Sequence, residues 1–205
     1  MIEGRYQPGE RLVPEELRAE YGVSLSPVRD ALHRLSHLGY LEVRARNGVY
    51  VVPVDAKRAG EIFDLRIALE SLAIEKLTPK VPEAVLATLA ERFRLAREAL
   101  DRDGDDSLAA ASDQLLDDLV FGQTDSKLLL SMLANIKQHV SWVRAISGDV
   151  PRRYERSFAE HEVILEAIKR RHPEAAARAT RRHLQNTKGY VIKYLEAHHP
   201  ARALG

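Results

Sequence analysis

Two adjoining stretches decide how the N-terminal part of the chain folds: Val23-Ser24-Leu25-Ser26-Pro27-Val28-Arg29-Asp30-Ala31-Leu32-His33-Arg34-Leu35, and Leu41-Glu42-Val43-Arg44-Ala45-Arg46-Asn47-Gly48-Val49-Tyr50-Val51-Val52. In the first, Ser24 and Ser26 offer cap hydroxyls and Pro27 an N-terminal proline. Val28, Leu32 and Leu35 then recur at i, i+4 and i+7, which predicts a helix with one buried stripe ending near Gly39. Its other face carries Ser26, Arg29, Asp30, His33 and Arg34, polar and with small groups near the N-terminus, which suits entry into a groove. In the second stretch Asn47-Gly48 separates two β-type runs, a strong hairpin signal. A two-residue turn there pairs Arg46 with Val49 and Arg44 with Val51, so that Arg44 and Arg46 share one face of a ribbon.

Upstream, Val13 to Gly22 predicts a short helix with Pro14 and acids in its first turn and a glycine stop. Helix, tight turn, helix and two-stranded wing is the order of a winged helix-turn-helix, whose second helix enters the major groove of DNA. Local charge agrees: residues 1–23 sum to −2 and residues 24–48 to +2. The expected DNA-contacting set is Ser24, Ser26, Arg29, His33, Arg44, Arg46, Asn47 and Gly48. A protein-binding winged helix is the alternative for this part. His33 and His37, at i and i+4, could be read as a metal pair but have no carboxylate beside them.

Across the whole chain, 31 basic against 30 acidic residues leave +1, excluding a broadly basic nucleic-acid coat. The absence of cysteine excludes disulfides, thiolate zinc sites and cysteine nucleophiles, and points to a reducing, cytoplasmic setting. No stretch approaches the ~18 apolar residues of a membrane span. Five of the 11 glycines precede residue 49. Beyond Pro53 the pattern is helical, with segments expected at 56–78, 81–102, 106–122, 126–147, 151–171 and 173–198. The fold class is therefore mainly α: residues 1–54 a winged helix-turn-helix, 55–198 an all-α bundle for ligand binding and dimerisation, 199–205 a tail.

Inside the bundle, His161 and His183 lie equidistant from His172-Pro173. In an antiparallel helix hairpin such residues sit level, so the two imidazoles can meet. His161 continues the stripe Tyr154, Phe158, Leu165, Ile168; His183 continues Ala176, Thr180, Thr187, Tyr190. A divalent metal with a carboxylate is one way to satisfy two facing histidines, and water or side chains are another. Asp113 and Asp117 are candidate carboxylates, Asp113 bordering an apolar face with Leu108, Ala111, Leu115 and Leu119. Arg66 is a candidate carboxylate anchor or an i, i+4 partner of Glu70, and Arg144 a candidate cavity residue or a solvated arginine.

The first part resembles the DNA-binding domain of GntR-family transcriptional regulators over nearly all of residues 2–54, in Pro8 to Leu17, Tyr21 to Val43 and Arg46 to Val51. Leu25 stands where the family has Arg. The resemblance also implies a full helix before Gly4-Gly9, of which only Met1 to Glu3 are present, and so an expected start upstream. The second part resembles the FCD ligand-binding domain of the FadR subfamily in Asp64-Leu65-Arg66-Ile67-Ala68-Leu69-Glu70, in Glu160-His161 to Ile168, and in His183.

That resemblance implies a metal held by Asp113, His161 and His183, with Asp117 where the family has His. The substitution hardens the site, favouring Mn, Mg or Fe over Ni or Cu, with Zn also open. It further implies a homodimer binding a palindromic double-stranded operator, with affinity set by a small carboxylate near Arg66 and Arg144. Two other readings stand beside it: a helical-bundle metallohydrolase using Asp113, His161 and His183 to activate water, and a dimeric binding protein that has lost DNA affinity.

Overall fold

The computed structural model describes residues 5–45, 47–103, 112–147 and 154–198. The N-terminal part contains β1 (Arg11–Leu12), α1 (Pro14–Tyr21), α2 (Leu25–His37), β2 (Leu41–Arg44) and β3 (Gly48–Val51). Helices follow: α3 (Ala56–Leu77), α4 (Glu83–Asp103), α5 (Ser112–Gln123), α6 (Lys127–Ser147), α7 (Tyr154–Lys169) and α8 (Pro173–His198). The mainly α reading holds, and the helices fall close to the expected segments. The expected start of the third bundle helix, with Leu108 and Ala111, lies outside the described residues.

Local chemistry explains most boundaries. Pro14 opens α1, Glu15 and Glu16 occupy its positively polarised first turn, and Gly22 ends it in the left-handed conformation at φ 63°. The Asp55 carboxylate accepts from the Arg58 amide at 2.7 Å, capping α3 directly after the wing. Arg171, at φ 56°, lies in the turn that joins α7 to α8, and its guanidinium donates to the Thr78 carbonyl at 3.2 Å.

The wing departs from expectation in two ways. β1 adds a third strand, order β1-β3-β2, through Arg11↔Tyr50 and Leu12↔Val49; a two-residue strand has no periodicity to read. The hairpin register also differs: Arg44 pairs with Gly48 and Val43 with Val49, so Arg44 does not face Val51. A type I′ turn needs positive φ at both central residues, and here Gly48 has it (φ 108°) while Asn47 does not. Instead the Asn47 amide closes onto the Arg44 carbonyl at 2.9 Å, and Gly48 takes the bulge of a longer loop. Arg46 itself lies outside the described residues.

Two apolar cores result. One lies within the bundle around Phe93, Phe158, Ile164 and Ile168. The other crosses between the two parts, joining Leu32, Tyr40, Leu41, Val51 and Val54 to Ile62, Ile136, Val140, Trp142 and Leu195. The short Pro53–Asp55 connection therefore joins parts that share a core. No helix among the described residues is long and apolar enough to cross a membrane.

Candidate functional site

On α2, burial of Val28 and Leu32 turns Ser26, Arg29, Asp30, His33 and Arg34 outward, and Ser24, just before the helix, is exposed as well. His33 and His37 are both exposed, with no third ligand grouped beside them among the described residues. In the wing, the Arg44 guanidinium lies 4.6 Å from the Tyr50 ring centroid and pairs with Glu42 at 3.1 Å. The Glu42 contact occupies Arg44 Nε and one terminal nitrogen and leaves the other terminal nitrogen outside that pair. Asn47 is exposed at the wing tip beside half-buried Gly48. The exposed side of α2 is polar, while its Val28 and Leu32 side is turned inward, the arrangement of a helix that presents side chains to a groove.

Behind this face, Tyr40 stacks on His139 of α6 (centroids 4.5 Å, interplanar 15°) and meets Trp142 edge-on at 5.1 Å. Arg58 donates to the Gly39 carbonyl at 3.1 Å; Gly39 holds φ 80°, and a Cβ there would lie 2.6 Å from that guanidinium, which would have to shift away. Burial and the Arg58 charge hold the His139 pKa below its ordinary value.

The second site sits between α3, α5, α7 and α8. His161 and His183 face each other Nε2 to Nε2 at 3.1 Å, both almost fully buried. Asp113 Oδ1 lies 3.2 Å from His161 Nε2. Outer groups orient both rings. Ser112 Oγ is 2.7 Å from His161 Nδ1, and Glu160 accepts from His183 Nδ1 at 2.9 Å while Asn186 donates to the other Glu160 oxygen at 2.8 Å. The Nδ1 proton on His183 leaves its Nε2 lone pair aimed at the site. Burial favours neutral His183 and holds its pKa down. For Asp113, burial pushes the pKa up, but the His161 hydrogen bond and the charges of Arg144 and Arg66 outweigh it and keep the carboxylate ionised.

Donors bound to one ion at ~2.1 Å in tetrahedral or facial geometry stand about 3.0–3.4 Å apart, and the two short separations here fall in that range. The three ligand atoms lie within 4.8 Å of one another. Two imidazoles and one carboxylate on one side of an ion, with other positions open, suit a first-row divalent metal. The network is also satisfiable without one: Ser112 donates to His161 Nδ1, and His161 Nε2–H turns to Asp113 or His183. The Ser112 hydroxyl can serve either state by rotating.

Asp117 lines the same cavity, but its carboxylate pairs with Lys137 of α6 at 3.0 Å and stands outside the trio. Arg66 is buried on the cavity wall, with Nε donating to Glu70 at 2.6 Å, the i, i+4 pair foreseen as its other role. Arg144 reaches Asp113 at 3.5 Å from a half-exposed position. The cavity holds about 20 Å3, room for an ion or a water. That is too little room for an organic acid. The roomier hollow, about 580 Å3, is an apolar groove lined by Leu17, Tyr21, Leu32 and Tyr40, away from the histidines.

Comparison with known proteins gives two family matches: the FCD domain over residues 61–186, and the bacterial regulatory proteins of the gntR family over residues 1–51. The chain belongs to the GntR family of transcriptional regulators and carries an FCD domain. Among its relatives is the HTH-type transcriptional regulator YdhC of Bacillus subtilis, 27% identical over 96% of this chain and 88% of the relative. The repressor RspR of Escherichia coli is 27% identical over 87% of this chain and 78% of its own length. The solved structure of Escherichia coli McbR/YncC superposes with a TM-score of 0.68 at 22% identity, over 94% of this chain and 91% of the other. These relatives are regulators, so the metallohydrolase reading is not carried further.

Four residues of this GntR regulator's site escaped the sequence reading: Ser112, Glu160, Asn186 and Lys137. Glu160 and Ser112 adjoin foreseen ligands in sequence, and Asn186 lies one turn beyond His183, so adjacency was the available signal. Lys137 lies on the helix that follows α5 after the short connection at residues 124–126, and no spacing rule singles it out as the partner of Asp117.

Proposed function

We propose that this GntR regulator works in the cytoplasm as a homodimer on a palindromic double-stranded operator, and that a divalent metal and a small carboxylate in the FCD part alter its operator affinity. Ser24, Ser26, Arg29 and His33 face the major groove, and Arg44, Arg46, Asn47 and Gly48 approach the backbone or minor groove. Asp113, His161 and His183 hold the metal, which supplies a positive centre for an anion. Arg66 and Arg144 add cationic charge beside it. Gluconate operon repressors of Bacillus licheniformis and Bacillus subtilis, 23% and 25% identical to this chain, favour an organic acid as the effector class.

One observation carries the regulatory reading: α6 touches both ends. Its Lys137 and Arg144 hold Asp117 and Asp113 of the candidate site. Its His139 and Trp142 pack on Tyr40, directly behind the recognition helix. An anion entering the small cavity displaces α5, draws on those ion pairs, and shifts α6 under the DNA-reading part. Two dimer geometries then differ in half-site spacing, and the ligand favours one by its differential affinity.

Selection of duplexes from a random pool, at two salt concentrations and with or without Mn2+ and gluconate, tests this. The expected result is a salt-sensitive palindrome whose retention changes with the additives. Failure to enrich any sequence would favour a dimeric binding protein without DNA affinity. Enrichment indifferent to metals and to a panel of organic acids would remove the regulatory half.

A further inference from the structure

We propose that Lys137 is a positioning residue that withholds Asp117 from the metal and so keeps the centre open to an outside anion; this rests on the metal reading above. Asp113 and Asp117 stand one helical turn apart on α5, and both line the cavity with His161 and His183. They have different partners. Asp113 is drawn to His161, whereas Asp117 is drawn to Lys137, whose ammonium also lies 5.3 Å from the Phe121 ring centroid. Phe121 is one turn beyond Asp117, so Lys137 lies along α5 with two points of hold. The Asp117 side chain is 24% exposed and that of Lys137 42%, so solvent screens the pair in part from the lysine side.

The charge count gives this pair its consequence. A divalent ion on one carboxylate and two neutral imidazoles keeps a net charge of +1 and, if six-coordinate, three open positions. If Asp117 also coordinated, the complex would be neutral and one position fewer would remain. Lys137 competes with the ion for Asp117, lowering metal affinity while preserving both the charge and the space that an anionic effector uses. It acts on effector selection without touching the effector.

The test uses the full chain and two probes: Mn2+ alone, then citrate added to the Mn2+-loaded protein, both followed by titration calorimetry. Lys137→Met keeps the stem against Phe121 and removes the charge. Outer groups of metal sites change affinity by about 10–100-fold, so the variant is expected to bind Mn2+ about tenfold more tightly and citrate about tenfold more weakly. Adding Asp117→Asn should return both toward wild type. Circular dichroism checks folding, and Lys137→Gln replaces the first variant if that one melts early.

Wild type that binds Mn2+ while the folded Lys137 variant binds it no more tightly overturns the proposal and leaves the metal reading intact. Unchanged citrate binding in the variants, or none in the Mn2+-loaded wild type, overturns its anion half. A wild-type chain that takes up none of Mn2+, Zn2+, Fe2+ or Ni2+ refutes the metal reading itself, and this inference falls with it.

Discussion

Tyr40 and His139 lie ring on ring, 4.5 Å between centroids, one from the DNA-reading part and the other from α6 of the bundle. Trp142, fully buried beside both, is the chain's single tryptophan. Its fluorescence therefore reports on this joint alone.

Tyr40→Ala should cost about 3–5 kcal/mol, the usual range for emptying a buried aromatic site. Urea unfolding followed by Trp142 emission and by far-UV circular dichroism will measure it, with Trp142 emission red-shifted before unfolding. Tyr40→Phe should change stability by less than about 1 kcal/mol, because the hydroxyl has no side-chain or backbone partner among the described residues. A large loss in the Phe variant would show that the hydroxyl holds the joint.

Stability should fall on acidification. Burial and Arg58 lower the folded pKa of His139 below 6.5, so the unfolded chain binds the extra proton more readily. The stability gained by keeping this ring neutral is present above the unfolded value of about 6.5 and is lost as pH falls from there through the folded value. Urea midpoints between pH 8 and pH 5 will test it, and His139→Gln should flatten the decline over that range. An equal decline in the variant would assign the effect elsewhere.

Glu160→Gln should weaken metal binding by about 10–100-fold, because an amide can present its N–H to His183 Nδ1 and the ring then loses its fixed orientation. Asn186→Ala, one hydrogen bond farther out, should lose less. Calorimetric titration with Mn2+ and Zn2+ reads both; equal affinity in Glu160→Gln and wild type would remove Glu160 from the site.

Arg29→Ala should cost about 1–3 kcal/mol of operator affinity if the guanidinium reads a base edge, with relaxed preference at one position of each half-site. If it contacts phosphate, affinity should drop uniformly across sequences and the salt slope should shrink by about one per contact. Binding titrations at several salt concentrations separate the two. Unchanged specific affinity would place the reading face elsewhere.

Much of this was legible from residue spacing. Local patterns identified α2, the wing and six helical segments, because helix periodicity and turn chemistry are properties of neighbouring residues. The facing of His161 and His183 followed from symmetry about His172-Pro173, since a helix hairpin converts sequence distance into height. Asn47-Gly48 located the wing tip but not its register, because the same dipeptide serves a two-residue turn or a longer loop ending in a glycine bulge. The strand pairing decides between them.

The sequence by itself determined the family, the order of elements and three converging ligand candidates, because each is written within one element or across one short turn. The reading of the residues already favoured Asp113 over Asp117 as the carboxylate beside the histidines; only the tertiary structure decided that Asp117 pairs with Lys137 instead. Asp113 and Asp117 are alike in type and share a helix, but Arg144 and Lys137 reach them from α6, and which cation each carboxylate meets depends on how the two helices are set in the folded bundle. The stacking of Tyr40 on His139 was decided in the same way. It joins residues far apart in the chain whose burial gains appear only when both parts are folded.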